Sequence, residues 1–258
     1  MEFETIEVSA AGARGAIALN RPEKLNPLST QTLLELARAA RWLDAERDVK
    51  VVVVSGRGRA FSAGADVSAF AGEDPGIAAR RQAADAGRMM AETIESMRAV
   101  TIVRIQGHCI GGAVVLAAAC DLRVAAEDAR FSIPEVDLGI PLAWGGIPRL
   151  VREIGPAMTK ELVLTCRPFS ALEARALGFV NRAVLEPELD AAVDELASQL
   201  ERKSPYTLAA TKRGVNAASE ALASTRGSWS DADTLMTALA DPESRRAGQE
   251  YLQRLRPR

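Results

Sequence analysis

The chain has 258 residues, 48% of them hydrophobic and 26% charged, with a formal net charge of −2, a balance that fits one large domain, or one domain with a helical appendage. The slight negative charge excludes a basic field able to collect nucleic acid, and the longest apolar run, 113–120, is too short to span a bilayer. Three cysteines without a CxxC pair argue against a disulfide framework and for a reducing, cytoplasmic setting, and a single histidine, His108, excludes a zinc site built on several.

Along the chain, the opening MEFETIEVSA lacks a basic and apolar leader, so no secretory signal is expected. Residues 3–9 and 13–20 are expected strands with polar punctuation between them. Ser29 is placed to cap a helix running to about 45, with Leu33, Leu34, Leu36 and Ala37 at helical spacing. KVVVVSG (50–56) is a continuous β-branched run, the pattern of a strand buried on both faces. The small-residue loop GRGRAFSAGAD (56–66) follows, then a helix over about 77–98. TIVRIQG (101–107) is a second buried strand, leading through a glycine turn to an apolar helix at 111–120. LRVAA (122–126) is a third strand, and 131–142 is short strand and turn. From about 145 the pattern becomes helical. SALE (170–173) has the form of a capping box, a short strand lies near 179–184, and helices are expected over 187–203, 205–223 and 241–255. Strand, glycine turn and helix thus occur twice, around 51–70 and 102–120, the mark of repeated ββα or βαβ units with parallel sheet. The expected organisation is an α/β core over 1–195 and a helical region over 196–258 that docks elsewhere, such as on another subunit.

The two glycine turns carry the first hint of chemistry. At a strand-to-helix junction the leading N–H groups lack intrahelical partners, and small residues let a ligand approach the backbone. Two such turns side by side can offer two N–H groups to one oxygen; glycine turns also serve geometry alone, and both readings stand at this point. Neither turn is a phosphate motif: GRGRAFSAG lacks the G-x-x-x-x-G-K-[ST] pattern, and Phe61 stands where the third glycine of G-x-G-x-x-G belongs.

Four ordered segments carry a family resemblance: LNRPEKLNPLS (19–29), VVVVSGRGRAFSAGADVSAF (51–70), IQGHCIGGAVVLAAACDLRVAAEDARFSIPEVDLGI (105–140) and GGIPRLVREIGPAMTKELVLTCRPFSALEARALGFVNRAV (145–184). Together they resemble the enoyl-CoA hydratase/isomerase, or crotonase, family. The resemblance implies a spiral of repeated ββα units with a helical C-terminal region that forms trimers, often paired into hexamers. It implies an acyl-CoA thioester as substrate, with coenzyme A entering as part of that substrate and no metal or redox cofactor. The oxyanion donors map to the backbone N–H groups of Ala65 and Gly112, with Gly111 beside the latter. Ala63, Asp66, Val67 and Ser68 map to the lining of the CoA channel, although Asp66 also fits a plain helix cap. Lys24 and Leu25 map to contacts near the adenine end.

The family's hydratases resemble one another in carrying two glutamates, one to handle the attacking water and one the proton at the α-carbon. Here the second maps to Glu135 in IPEVDLG, but the first position holds Val115, which has no proton to move. Gly112 and Val115 stand i and i+3 on one helix face, so Val115 is expected to look toward the thioester. One carboxylate beside an oxyanion hole suits Δ3-Δ2 isomerisation; hydration is the alternative, and an acyl-CoA carrier without catalysis a third. Among apolar neighbours Glu135 would hold a raised pKa, against the plain reading of a surface or capping carboxylate. Asp137 lies two residues on, on the same side if the segment is extended, and is either an auxiliary acid or a turn residue. The related dienoyl-CoA isomerases carry further acids where this chain has Val115 and Ala143. Trp144 is either a wall of the acyl pocket or plain core. His108 is expected to be structural and Cys109 and Cys120 to be small core residues. Arg245, Arg246, Arg254, Arg256 and Arg258 are either solvated tail charge or contacts to a CoA phosphate.

Overall fold

A computed structural model describes residues 2–66 and 76–255. The chain opens as a hairpin, β1 (Ile6–Ala11) paired antiparallel with β2 (Arg14–Leu19). β3 (Val51–Gly56) and β4 (Val100–Ile105) follow in parallel, and β5 (His108–Ile110) leaves for a second sheet. β6 (Leu122–Ala126) and, far along the chain, β9 (Arg182–Val184) complete the first sheet, in the order β1-β2-β3-β4-β6-β9. The smaller sheet is β5-β7-β8, with β7 (Arg130–Ser132) parallel to β5 and β8 (Phe169–Ser170) antiparallel to β7. The helices are α1 (Thr30–Ala45), α2 (Ile77–Ser96), α3 (Gly112–Ala119), α4 (Gly146–Thr165), α5 (Ala171–Ala176), α6 (Leu189–Glu201), α7 (Pro205–Leu222), α8 (Asp231–Ala240) and α9 (Pro242–Leu255).

The β-branched runs explain the layering. Val52, Val54 and Val103 turn into the main core with α1, α2 and α3, while Val51, Ile102 and Val124 turn the other way onto Leu189, Val193 and Ala197 of α6. Both faces of the central strands are thus buried, as a parallel sheet requires. α1 starts where Ser29 Oγ accepts the Thr32 N–H at 3.2 Å, and its stripe of Leu33, Leu36, Ala40 and Leu43 is buried while Leu34 faces out. α3 is apolar on every side and every one of its residues is buried, so it runs through the centre of the molecule. Fully burying Val114, Val115 or Leu116 contributes about 1.5–3 kcal/mol each.

The structure amends several expectations. The stretch before α3 is a short strand, β5, since Ile110 donates to Ser62 O at 3.2 Å and Ser62 donates to His108 O at 2.9 Å. Three residues are too few for a periodic signal. The first glycine turn does not open a helix by Asp66; it stays extended, bridged to Cys109 through Ser62 and to Leu28 through Ala65. The capping box at SALE is one-sided: Ser170 Oγ accepts the Glu173 N–H at 3.1 Å, while the Glu173 carboxylate takes Arg167 instead. α4 bends at Gly155, whose φ of 74° precedes Pro156. Residue 195 lies inside α6, and α8 is an additional helix. The last two helices pack on their own chain: Arg81 of α2 pairs with Asp233 of α8 at 2.6 Å, and Gly248 of α9 lies against Leu138. No helix among the described residues is long and apolar enough to cross a membrane.

Candidate active site

Two loops meet at the N-terminus of α3. The first, 57–66, is laid beside β5 by the Ser62–Cys109 bridge, and is clamped from its other side by residues 25–28: Ala63 donates to Leu25 O at 2.8 Å and Leu28 to Gly64 O at 2.8 Å. Gly64 has a φ of 89°, and a Cβ there would collide with the Ile110 carbonyl and stand 3.7 Å from the Gly112 nitrogen. Only glycine lets the two backbones approach this closely. The second loop turns at Gly111 (φ 54°), whose N–H donates to Ser132 O at 2.8 Å. Gly112 begins α3, so its N–H has no intrahelical acceptor. Among the described residues, neither the Ala65 nor the Gly112 N–H donates to any group. Two unspent amide donors therefore sit on loops whose backbones touch, with the positive end of a wholly buried helix behind one of them.

The Glu135 carboxylate lies beside the second of these loops. It sits in a hydrogen-bonded turn: Leu138 donates to Pro134 O at 2.9 Å and Ile140 to Glu135 O at 2.9 Å. A Cβ on Gly111 would stand 2.5 Å from Glu135 Oε1, so the carboxylate lies directly against the residue before the Gly112 amide. Glu135 is 8% exposed, and Oε2 accepts no hydrogen bond among the described residues. Burial pushes its pKa up to about 7, against a smaller opposing pull from its own backbone N–H. A carboxyl group poised near neutrality, with a free oxygen, can both take and return a proton.

Trp144 forms a wall. It holds a left-handed φ of 63°, and its indole occupies the places where Cβ atoms of Gly87 on α2 and Gly112 on α3 would lie. The turn is pinned by Arg149, which is 1% exposed and donates to the Trp144 and Gly145 carbonyls at 3.2 and 3.1 Å. Asp231 Oδ2 accepts the Gly145 N–H at 2.8 Å from the C-terminal region.

The profile of the enoyl-CoA hydratase/isomerase family matches residues 12–258. The chain belongs to that family. A probable enoyl-CoA hydratase of Mycobacterium leprae is 35% identical over 217 residues, covering 84% of this chain and 82% of that protein. A peroxisomal Delta(3,5)-Delta(2,4)-dienoyl-CoA isomerase of Arabidopsis thaliana is 36% identical over 224 residues, covering 81% of each. A crystal structure of an enoyl-CoA hydratase from Mycobacterium avium subsp. paratuberculosis K-10 superposes with a TM-score of 0.88 over 96% of this chain and 99% of that one; at 24% identity it speaks for the fold alone. The fold is thus the α/β crotonase fold with C-terminal helices, and the protein is an acyl-CoA enzyme of this family.

Within the crotonase fold, Ala65, Gly111, Gly112, Glu135 and Trp144 come together. Val115 is wholly buried; a Cβ on Gly146 would meet its Cγ2 at 2.8 Å and Leu142 at 3.0 Å, so Val115 packs on the start of α4. Asp137 is exposed while Glu135 is buried, because the segment is a turn and not extended, and the two side chains diverge. Ala63 and Lys24 are exposed, and Leu25 holds a left-handed φ of 60° beside the first loop. Asp66 pairs with Arg21 at 3.5 Å. Val67 and Ser68 lie outside the described residues, as do Arg256 and Arg258. His108 is exposed on β5, and Cys109 and Cys120 are core.

Two organising residues escaped the sequence reading. Asn26, 1% exposed, gives its Nδ2 to the carbonyls of Arg57, Ala60 and Phe61 at 2.9, 2.9 and 3.1 Å and accepts the Arg21 N–H at 2.9 Å. It shapes the loop that carries Ala65; the only local signal is an asparagine before Pro27. Arg149 is the other, a charged residue whose burial within α4 no local pattern announces.

Proposed function

We propose that this crotonase-family enzyme moves a double bond in an enoyl-CoA thioester from the 3 to the 2 position. The Ala65 and Gly112 N–H groups hold the thioester oxygen, and Glu135 takes a proton from the α-carbon. Negative charge spreads over a dienolate, with its largest share on the oxygen between the two amides, and the protonated Glu135 returns the proton to the γ-carbon. Each oxyanion donor is worth about 10²–10³ in rate. Ala63, Asp66, Val67 and Ser68 line the CoA channel in this reading, Lys24 and Leu25 lie toward the adenine end, Gly111 and Trp144 bound the acyl group, and Val115 shapes the pocket without proton transfer. Asp137 is an auxiliary at most.

The observation that carries the reading is the solitary buried Glu135, with its free Oε2 beside the Gly112 amide and valine at the neighbouring acid position. Hydration of 2-enoyl-CoA is the second reading, favoured by the names of relatives such as the short-chain-enoyl-CoA hydratase of Clostridium acetobutylicum, 30% identical over 237 residues. The test is an absorbance assay of the conjugated thioester. Gain of signal from 3-enoyl-CoA supports isomerisation, loss of signal from 2-enoyl-CoA supports hydration, and binding with neither supports a carrier. The proposed setting is cytoplasmic, supported by three unpaired cysteines. The region from residue 196 onward is proposed to assemble trimers or dimers of trimers, supported by the exposed apolar face of α7.

A further inference from the structure

Glycine inside a helix is unfavourable, so Gly248 in the middle of α9 needs a reason. It is buried, and a Cβ there would stand 2.5 Å from the Leu138 carbonyl oxygen. The approach is reciprocal: Gly139, at a φ of 72°, leaves no room for a Cβ against the Ser244 backbone, whose carbonyl carbon would be 2.7 Å away. Ser244, Gly248 and Tyr251 are spaced four and three apart and share one face of α9. That face rests on residues 137–139. The same short turn carries Glu135: the Leu138 N–H bonds to Pro134 O at 2.9 Å, the Gly139 N–H to Val136 O at 3.0 Å, and the Ile140 N–H to Glu135 O at 2.9 Å. Half-buried Tyr251 lies on this same face one turn further on, and burial first, then Asp137, Cys166 and Glu135, push its hydroxyl pKa up.

We infer that α9 is a positioning element of the active site: through the close backbone approach of Ser244 and Gly248 to Leu138 and Gly139, the chain's own last helix holds the turn that aims Glu135. A helix that only finished the fold would not need its backbone against this one turn. The kinetic part of the inference rests on the acyl-CoA reading; the docking does not.

The test compares Gly248→Ala with Gly214→Ala, since Gly214 lies inside α7 with nothing within 4 Å of the place a Cβ would take. Backbone hydrogen exchange at Leu138, Gly139 and Ile140 is followed together with turnover of 3-enoyl- and 2-enoyl-CoA. Gly248→Ala is expected to speed exchange about tenfold and to lower kcat about tenfold with KM within about twofold, because misaiming a proton-transfer group costs rate more than binding. Gly214→Ala is expected to match the wild type in both. Should Gly248→Ala fail to fold, Tyr251→Ala, which inserts nothing between the backbones, is expected to show the same two changes at smaller size. Exchange and kcat at wild-type values in both Gly248→Ala and Tyr251→Ala would overturn the inference. A wild type that turns over neither substrate, with exchange altered as expected, would overturn the enzymatic reading and leave the docking in place.

Discussion

Glu135 is a carboxylate with little to keep it charged. Among the described residues no cation offsets its burial, and its pKa rises from 4.5 to about 7. The sign of the consequence follows: folding favours the protonated form, so ionisation costs stability progressively as pH climbs from 4.5 through 7, about 3 kcal/mol in all. Glu135→Gln, which removes that ionisation, is expected to melt higher than the wild type at alkaline pH, with the gap closing toward acid pH in thermal unfolding. The same substitution is expected to lower turnover by about 10²–10⁴-fold while acyl-CoA binding persists, since only the proton transfer is lost. Wild-type activity should rise with pH through about 7, as the base form fills. Val115→Glu tests the neighbouring position. A second acid there is expected to raise hydration of 2-enoyl-CoA by about 10²-fold. It also places a carboxyl beside Leu142 and Gly146, and should lower stability by on the order of 3 kcal/mol at neutral pH in urea unfolding.

At the level of elements, the site depends on two loops held at a fixed separation by partners distant in sequence. Asn26 is the clearest case. Asn26→Ala leaves three carbonyls of residues 57–61 and the Arg21 N–H without their partner, and is expected to cost about 3 kcal/mol in denaturant unfolding and to lower kcat together with it. β1–β4, β6, α1, α3 and the glycine turns were legible because each is written in contiguous residues: a β-branched run, a capped apolar stripe, a pair of glycines. Glu135, Ala65 and Gly112 were legible as candidates through the family resemblance. Asn26, the seat of Trp144 between Gly87 and Gly112, and the docking of α9 were not, since each is a contact between segments whose own periodicity carries no trace of the other. β5 escaped for a different reason: its three residues are held by the Ser62 backbone, not by their own pattern.

At the scale of the whole molecule, the C-terminal helices divide into two kinds. α8 and α9 pack on their own chain, against α2 and the 137–139 turn. α7 buries only Ala209 and Lys212, and leaves Val215 59% and Leu222 84% exposed, seven residues apart on one face. Exposed apolar side chains grouped on one face support the proposed contact surface. Light scattering of the purified chain is expected to give three or six copies of the 27.5 kDa protomer, and Leu222→Asp to shift the population toward smaller species; a monomer at micromolar concentration would remove α7 from that role. In the proposed function, fold and loop placement serve one act, the removal of an α-proton from a thioester whose oxygen is held by two backbone amides. The direct measurement is deuterium incorporation at the α-carbon of a saturated acyl-CoA incubated with the enzyme in D₂O. Incorporation is expected with the wild type and its loss in Glu135→Gln under conditions where both bind the ligand. Equal incorporation in the two proteins, or none in a wild type that binds the acyl-CoA, would contradict the proposed function.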